Sequence, residues 1–197
     1  DKLEELPANH PNNEFAKYVV SIARDGARLR LRGKAFTEPC ERPNLKSSRD
    51  YPQRVRAYLK DEVKEGRITD HGSNIPHPRY QTWGLGVVAK AGKDIATHGR
   101  VTTHYSQTVP LSDTTETESL NDKMDQVDTS VKYTKVVDAM IVINTYKQQG
   151  NAHPSIASLD VARAFRNILV HPQDRHLTCF QLEDEDGTLH YYSDGAV

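Results

Sequence analysis

Apolar positions along the chain switch between two periods, and the switches mark the elements. Asn12 and Asn13 precede a run in which Phe15, Val19 and Ile22 share one helical face, and Gly26 stands where that helix would stop. From Ala27 to Gly33, Arg28, Arg30 and Arg32 alternate with Leu29 and Leu31 at the period of a half-exposed strand, and Pro39, Pro43 and Asn44 then mark a loop. Helical spacing returns in Tyr51, Val55, Tyr58, Leu59 and Val63 and ends at Gly66, with Arg54, Lys60 and Lys64 on the opposite face. Turn formers between Gly66 and Arg79 predict a surface connection. Two apolar runs, residues 83–90 and 100–105, predict an antiparallel hairpin whose tip carries Lys93 and whose flanks carry Lys90 and Arg100.

Residues 112–118 are rich in Thr and acid without periodicity, which predicts a mobile insertion. The stretch from Val136 to Tyr146, capped by Thr134 and closed by Gly150, is apolar around much of its circumference and predicts a largely buried helix. A strand over residues 156–160, a short helical turn and a hairpin of residues 177–182 and 189–193 complete the chain, with Asp186-Gly187 as the tight turn. Helices interleaved with antiparallel hairpins make the expected fold class α+β.

Composition narrows the setting. A hydrophobic share of 36% and a mean hydropathy of -0.72 describe a polar chain. No apolar run approaches the roughly 18 residues of a membrane span, so no membrane partner is expected. The opening Asp1-Lys2-Leu3-Glu4-Glu5 leads into no secretory apolar core. Cys40 and Cys179 form neither a CxxC pair nor a disulfide framework, which predicts an intracellular, reducing compartment, with Cys179 a buried structural thiol. His71 with His77, and His171 with His176, lack the Cys/His framework of a zinc site, and neither a P-loop nor a GxSxG elbow is present. Net charge is -1, yet residues 1–110 carry 19 Lys and Arg against 13 Asp and Glu, while residues 111–197 carry 7 against 14. A basic first half suits phosphate; an acidic second half holds cations or is a solvated face.

The chemistry concentrates in Ser158-Leu159-Asp160-Val161-Ala162-Arg163-Ala164-Phe165. An aspartate at a strand end can cap the following turn or offer hard oxygen to magnesium, and Phe165 can be a core aromatic or the wall of a site. Around it stand Asn44-Leu45, Glu62-Val63-Lys64-Glu65-Gly66-Arg67, Gly84-Leu85-Gly86-Val87-Val88-Ala89-Lys90 and Ser119-Leu120-Asn121-Asp122. Residues 130–139 and His171-Pro172-Gln173-Asp174-Arg175-His176 through Gln181 continue the series. In order and spacing these segments resemble reverse transcriptases, most closely those of retroelements of the tyrosine-recombinase (DIRS-like) kind.

The resemblance implies reverse-transcriptase-like fingers, helices packed on antiparallel hairpins, with a partial palm. Residues 1–66 would be a helical lead-in, 67–150 a fingers-like region and 151–197 a partial palm with the first catalytic motif. Asp160 would be the catalytic, Mg2+-binding aspartate, with the Val161 backbone adding an oxygen. Phe165 would be the steric gate against a ribose 2′ hydroxyl, and Lys90 or Lys93 with Arg100 would grip the triphosphate, unless those cations are simply a solvated hairpin. An RNA/DNA primer-template is the implied partner. The paired-aspartate motif does not occur before Val197, and Tyr192-Ser193-Asp194-Gly195 lacks its second aspartate. The expectation is therefore a fragment or remnant of an RNA-directed DNA polymerase, inactive as this chain alone. The alternative is a domesticated, non-catalytic binding or scaffold subunit with protein partners in a larger assembly, such as a ribonucleoprotein.

Overall fold

The computed structural model describes residues 5, 10–33, 36–112, 115–124, 135–150, 153, 155 and 164–196. Two compact units divide the chain, one of residues 1–125 and 164–197 and the other of residues 126–163. The first unit has the mixed, α+β character expected, with small antiparallel sheets.

Helix α1 (Asn13–Asp25) begins where the Asn12 carboxamide accepts the Phe15 N–H, and ends at Gly26. Gly26 has φ 88°, and a Cβ there would lie 2.7 Å from the His171 backbone nitrogen, so only glycine fits. Of the residues that share its apolar face, Phe15 is 54% exposed, Val19 is exposed and Ile22 is half-buried, while Ala16 is the buried residue of α1.

Helix α2 (Lys46–Asp50) leads into α3 (Pro52–Lys64), where proline in the first turn forfeits no hydrogen bond. Val55 and Leu59 of α3 are buried against the antiparallel pair β2 (Leu85–Val88) and β3 (Arg100–Thr103). Between those strands, Asp94 caps the short helix α4 (Ile95–His98).

A second sheet has the order β1-β7-β6. Strands β6 (Cys179–Glu183) and β7 (Leu189–Asp194) form the hairpin expected at Asp186-Gly187, with Gly187 at φ 84°. Strand β1 (Ile68–Asp70) corrects the expectation of a mere connection: Ile68 is 2% exposed, and Ile68, Thr69 and Asp70 pair with Asp194, Ser193 and Tyr192. Val55, Leu59, Ile68, Leu85, Val87, Val101, Phe180 and Tyr192 form one core, so the two sheets and α3 share it.

Trp83 centres a second cluster with Leu120 and Leu177, and its indole N–H donates to the Leu177 carbonyl at 2.7 Å. Leu29 and Leu31 pack against this cluster, which corrects the strand expected over residues 27–33. That segment forms only single bridges, Ala27 with Val170 and Leu31 with Met124, because its leucines turn inward while Arg28 is held by Asp174. The insertion at residues 112–118 is also structured in part: β4 (Pro110–Ser112) pairs with β5 (Thr115–Glu116), and α5 (Leu120–Lys123), capped by Ser119, follows.

In the second unit, α6 (Val136–Gln148) matches the expected helix in position. Its first turn is closed by the Asp138 carboxylate, which accepts the Lys135 N–H at 2.8 Å. Burial differs from expectation, since no residue of α6 is buried and Val136, Met140 and Ile141 are exposed.

Candidate nucleic-acid interface

Asp160 and Val161 lie outside the described residues, as does the expected strand over residues 156–160. Phe165 is described only as backbone, inside a 3₁₀ turn over Ala164–Asn167. The hairpin cations are described, and the mounting of their hairpin is clear.

Val88 pairs with Arg100 at the end of the β2-β3 ladder, and Lys90 closes a turn by accepting the Lys93 N–H at 3.0 Å. Lys90, Lys93 and Arg100 are all exposed, and none has an ion pair or side-chain hydrogen bond among the described residues. The neighbouring carboxylate forms no ion pair with them among the described residues. Asp94 accepts hydrogen bonds from the Thr97 hydroxyl at 2.8 Å and from Ala96 N–H, which hold its carboxyl below the usual range.

The other side of the hairpin is fixed. Asn44 accepts the Leu85 N–H and donates to the Gln181 carbonyl, both at 2.8 Å, tying β2 to β6. Ser47 accepts the Val87 N–H at 2.9 Å, and the Arg54 Nε donates to the Gly99 carbonyl at 2.7 Å. These positioning residues escaped sequence reasoning apart from Asn44, which belongs to the resembling segments. Arg54 read as part of a solvated helix face.

The 3₁₀ turn carrying Phe165 is anchored through its neighbour. Arg166 bonds Asp194 at 2.6 Å and Glu62 at 2.8 Å, and Arg67 bonds Glu62 at 2.7 Å. Burial would raise the Glu62 carboxyl, but the guanidinium groups of Arg67 and Arg166 outweigh it and hold it below the usual value. Burial pushes Asp194 up despite Arg166. The Tyr58 hydroxyl is driven to about 12, chiefly by the same burial. Asp194 is thus engaged inside the fold.

No protein-family model matches the chain, and no curated protein matches it. Among the described residues no group of three or more His, Cys, Asp or Glu side chains could hold a metal ion, and no helix is long and apolar enough to cross a membrane. Cys179 is buried, its thiol pushed up to about 12 by burial, with Sγ near the Arg175 and His176 carbonyls.

Proposed function

We propose that this chain is a nucleotide- and nucleic-acid-binding unit of the RNA-directed DNA polymerase type, comprising fingers and the first part of a palm. The observation that carries the reading is the β2-β3 hairpin: three exposed cations without partners among the described residues, Arg100 on β3 and Lys90 and Lys93 in the connection between the two strands, whose other face is locked into the core. Carried on a fixed hairpin backbone, such cations offer phosphate concentrated positive charge, their own side chains being ordered as it binds. The planar fork of Arg100 suits two phosphate oxygens at once, and the lysines add charge.

In this reading Lys90, Lys93 and Arg100 hold the triphosphate, and Phe165 walls off a 2′ hydroxyl. Asp160 and the Val161 backbone would hold Mg2+, which polarises phosphoryl oxygens when bound. The direct test is fluorescence anisotropy with a labelled RNA–DNA hybrid. Binding that weakens steeply with salt, and more than fivefold loss in Lys93→Ala/Arg100→Ala, is the expected result; binding indifferent to both would refute the assignment.

Primer extension gives a second test. Two-metal phosphoryl transfer needs several carboxylates, and Asp160 is the one residue of these 197 placed in that role. With magnesium and deoxynucleotides this polypeptide is expected to give no extension, and robust extension would contradict that. A non-catalytic scaffold subunit is the second reading, favoured by the exposed Val136, Val137, Met140 and Ile141 of α6. Failure to bind the hybrid at low salt would leave that reading in place of the first.

A further inference from the structure

A cavity of about 890 Å³ opens in the first unit, away from the hairpin, since none of Lys90, Lys93 and Arg100 lines it. Its apolar lining includes Leu29, Leu31, Phe36 and Leu177. Its polar lining includes His71, His77, Arg79, Arg175 and His176. Asp174 is the one acid in that lining, and its charge is already spent. It is buried and accepts from Arg28 Nε at 2.7 Å, from the second Arg28 nitrogen at 3.1 Å and from Leu29 N–H at 2.8 Å.

Among the described residues neither Arg79 nor Arg175 has an ion pair with a carboxylate. The Arg175 Nε donates to the Val170 carbonyl at 3.3 Å, and the Arg79 side chain makes no hydrogen bond or ion pair among the described residues. His77 and His176 lie with ring centroids 4.3 Å apart, their planes tilted by 33°. Burial, followed by His77 and Arg79, lowers the affinity of His176 for a proton, so at neutral pH that imidazole presents a flat uncharged face beside a cationic guanidinium.

We propose that this cavity binds a small aromatic anion of the nucleoside monophosphate class, its phosphate on Arg79 and Arg175 and its ring among Phe36, Leu177 and the adjoining imidazoles of His77 and His176. The volume falls in the range of small-molecule sites, roughly 300–1,000 Å³. Guanidinium forks match phosphate, and a planar base matches aromatic and imidazole faces. The proposal stands apart from the polymerase reading, because it uses a different set of residues.

Isothermal titration of the whole chain with AMP, adenosine and inorganic phosphate tests it. AMP should bind with one-to-one stoichiometry, and adenosine and phosphate each about tenfold more weakly or worse, since each lacks one half of the recognition. Arg79→Ala should weaken AMP about tenfold, as loss of a charge-assisted phosphate contact does, and Arg79 is exposed enough for the variant to fold. The triple variant Lys90→Ala/Lys93→Ala/Arg100→Ala should keep its AMP affinity. No AMP binding at millimolar concentration, phosphate or adenosine binding as tightly as AMP, or Arg79→Ala binding unchanged would each overturn the proposal. So would AMP binding lost only in the hairpin variant, which would place the ligand on the polymerase-type surface instead.

Discussion

Arg42 takes a positive charge into the interior with no carboxylate paired to it among the described residues; it is 1% exposed. Its guanidinium lies over the Trp83 ring at 3.8 Å and donates to the carbonyls of Thr82, Gln107 and Glu118 and to the Gln81 side chain. Oxygens replace the missing anion, and they would be stranded if it went. Arg42→Met should therefore cost about 2–4 kcal/mol by urea denaturation, the sum of several buried acceptors left without donors. Arg166 belongs to the other kind of buried charge, an ion-paired one. Arg166→Met leaves Asp194 without its cation and Glu62 on Arg67 alone, and should cost about 3–5 kcal/mol. The pH dependence has opposing parts. Glu62, with its folded pKa held low, contributes stability above its ordinary value of 4.5, and that contribution fades as pH falls through the folded value. Asp194, raised from 3.8, works the other way, since its ionisation costs stability as pH climbs through its folded value. Glu62→Gln should flatten the loss of stability below pH 4.5, measured as urea midpoints across the acid range.

At the scale of elements, local patterns were legible and distant pairings were not. The β2-β3 and β6-β7 hairpins and α3 have periodicity and stop signals within their own residues, and all three occur where the pattern put them. Strand β1 has a single strongly buried side chain, Ile68, in turn-rich surroundings, and its partner β7 lies at the far end of the chain. Nothing near it in sequence announces a strand. Ile68→Ala should cost about 2–4 kcal/mol, because it removes the side chain that seats β1 on the shared core. The alternation in residues 27–33 misled for the opposite reason: its leucines are partly buried, but by a tryptophan cluster instead of a sheet. Of the site, the hairpin cations were visible as charges at a turn. Their mounting through Asn44, Ser47 and Arg54 was not, because side chain to backbone bonds between distant segments leave no periodic trace.

For the molecule as a whole, the basic residues of the first 110 positions divide into those held by internal contacts and those left exposed. Arg28, Arg42 and Arg67 are consumed in internal contacts, whereas Lys90, Lys93 and Arg100 remain on one hairpin with no partner among the described residues. Those three should contribute to salt-dependent binding of a polyanion, and removing them should barely alter stability, by about 0.5 kcal/mol or less. The measurement that bears most directly on the polymerase-type reading is the affinity for an RNA–DNA hybrid as a function of salt, for the native chain and for Lys90→Ala/Lys93→Ala/Arg100→Ala. The native chain should bind at low salt, and the triple variant should show a log–log salt slope smaller in magnitude by about 2 to 3, one counterion release per lost phosphate contact. Identical slopes for the two proteins, or no binding at about 50 mM salt, would contradict the assignment of this hairpin to phosphate.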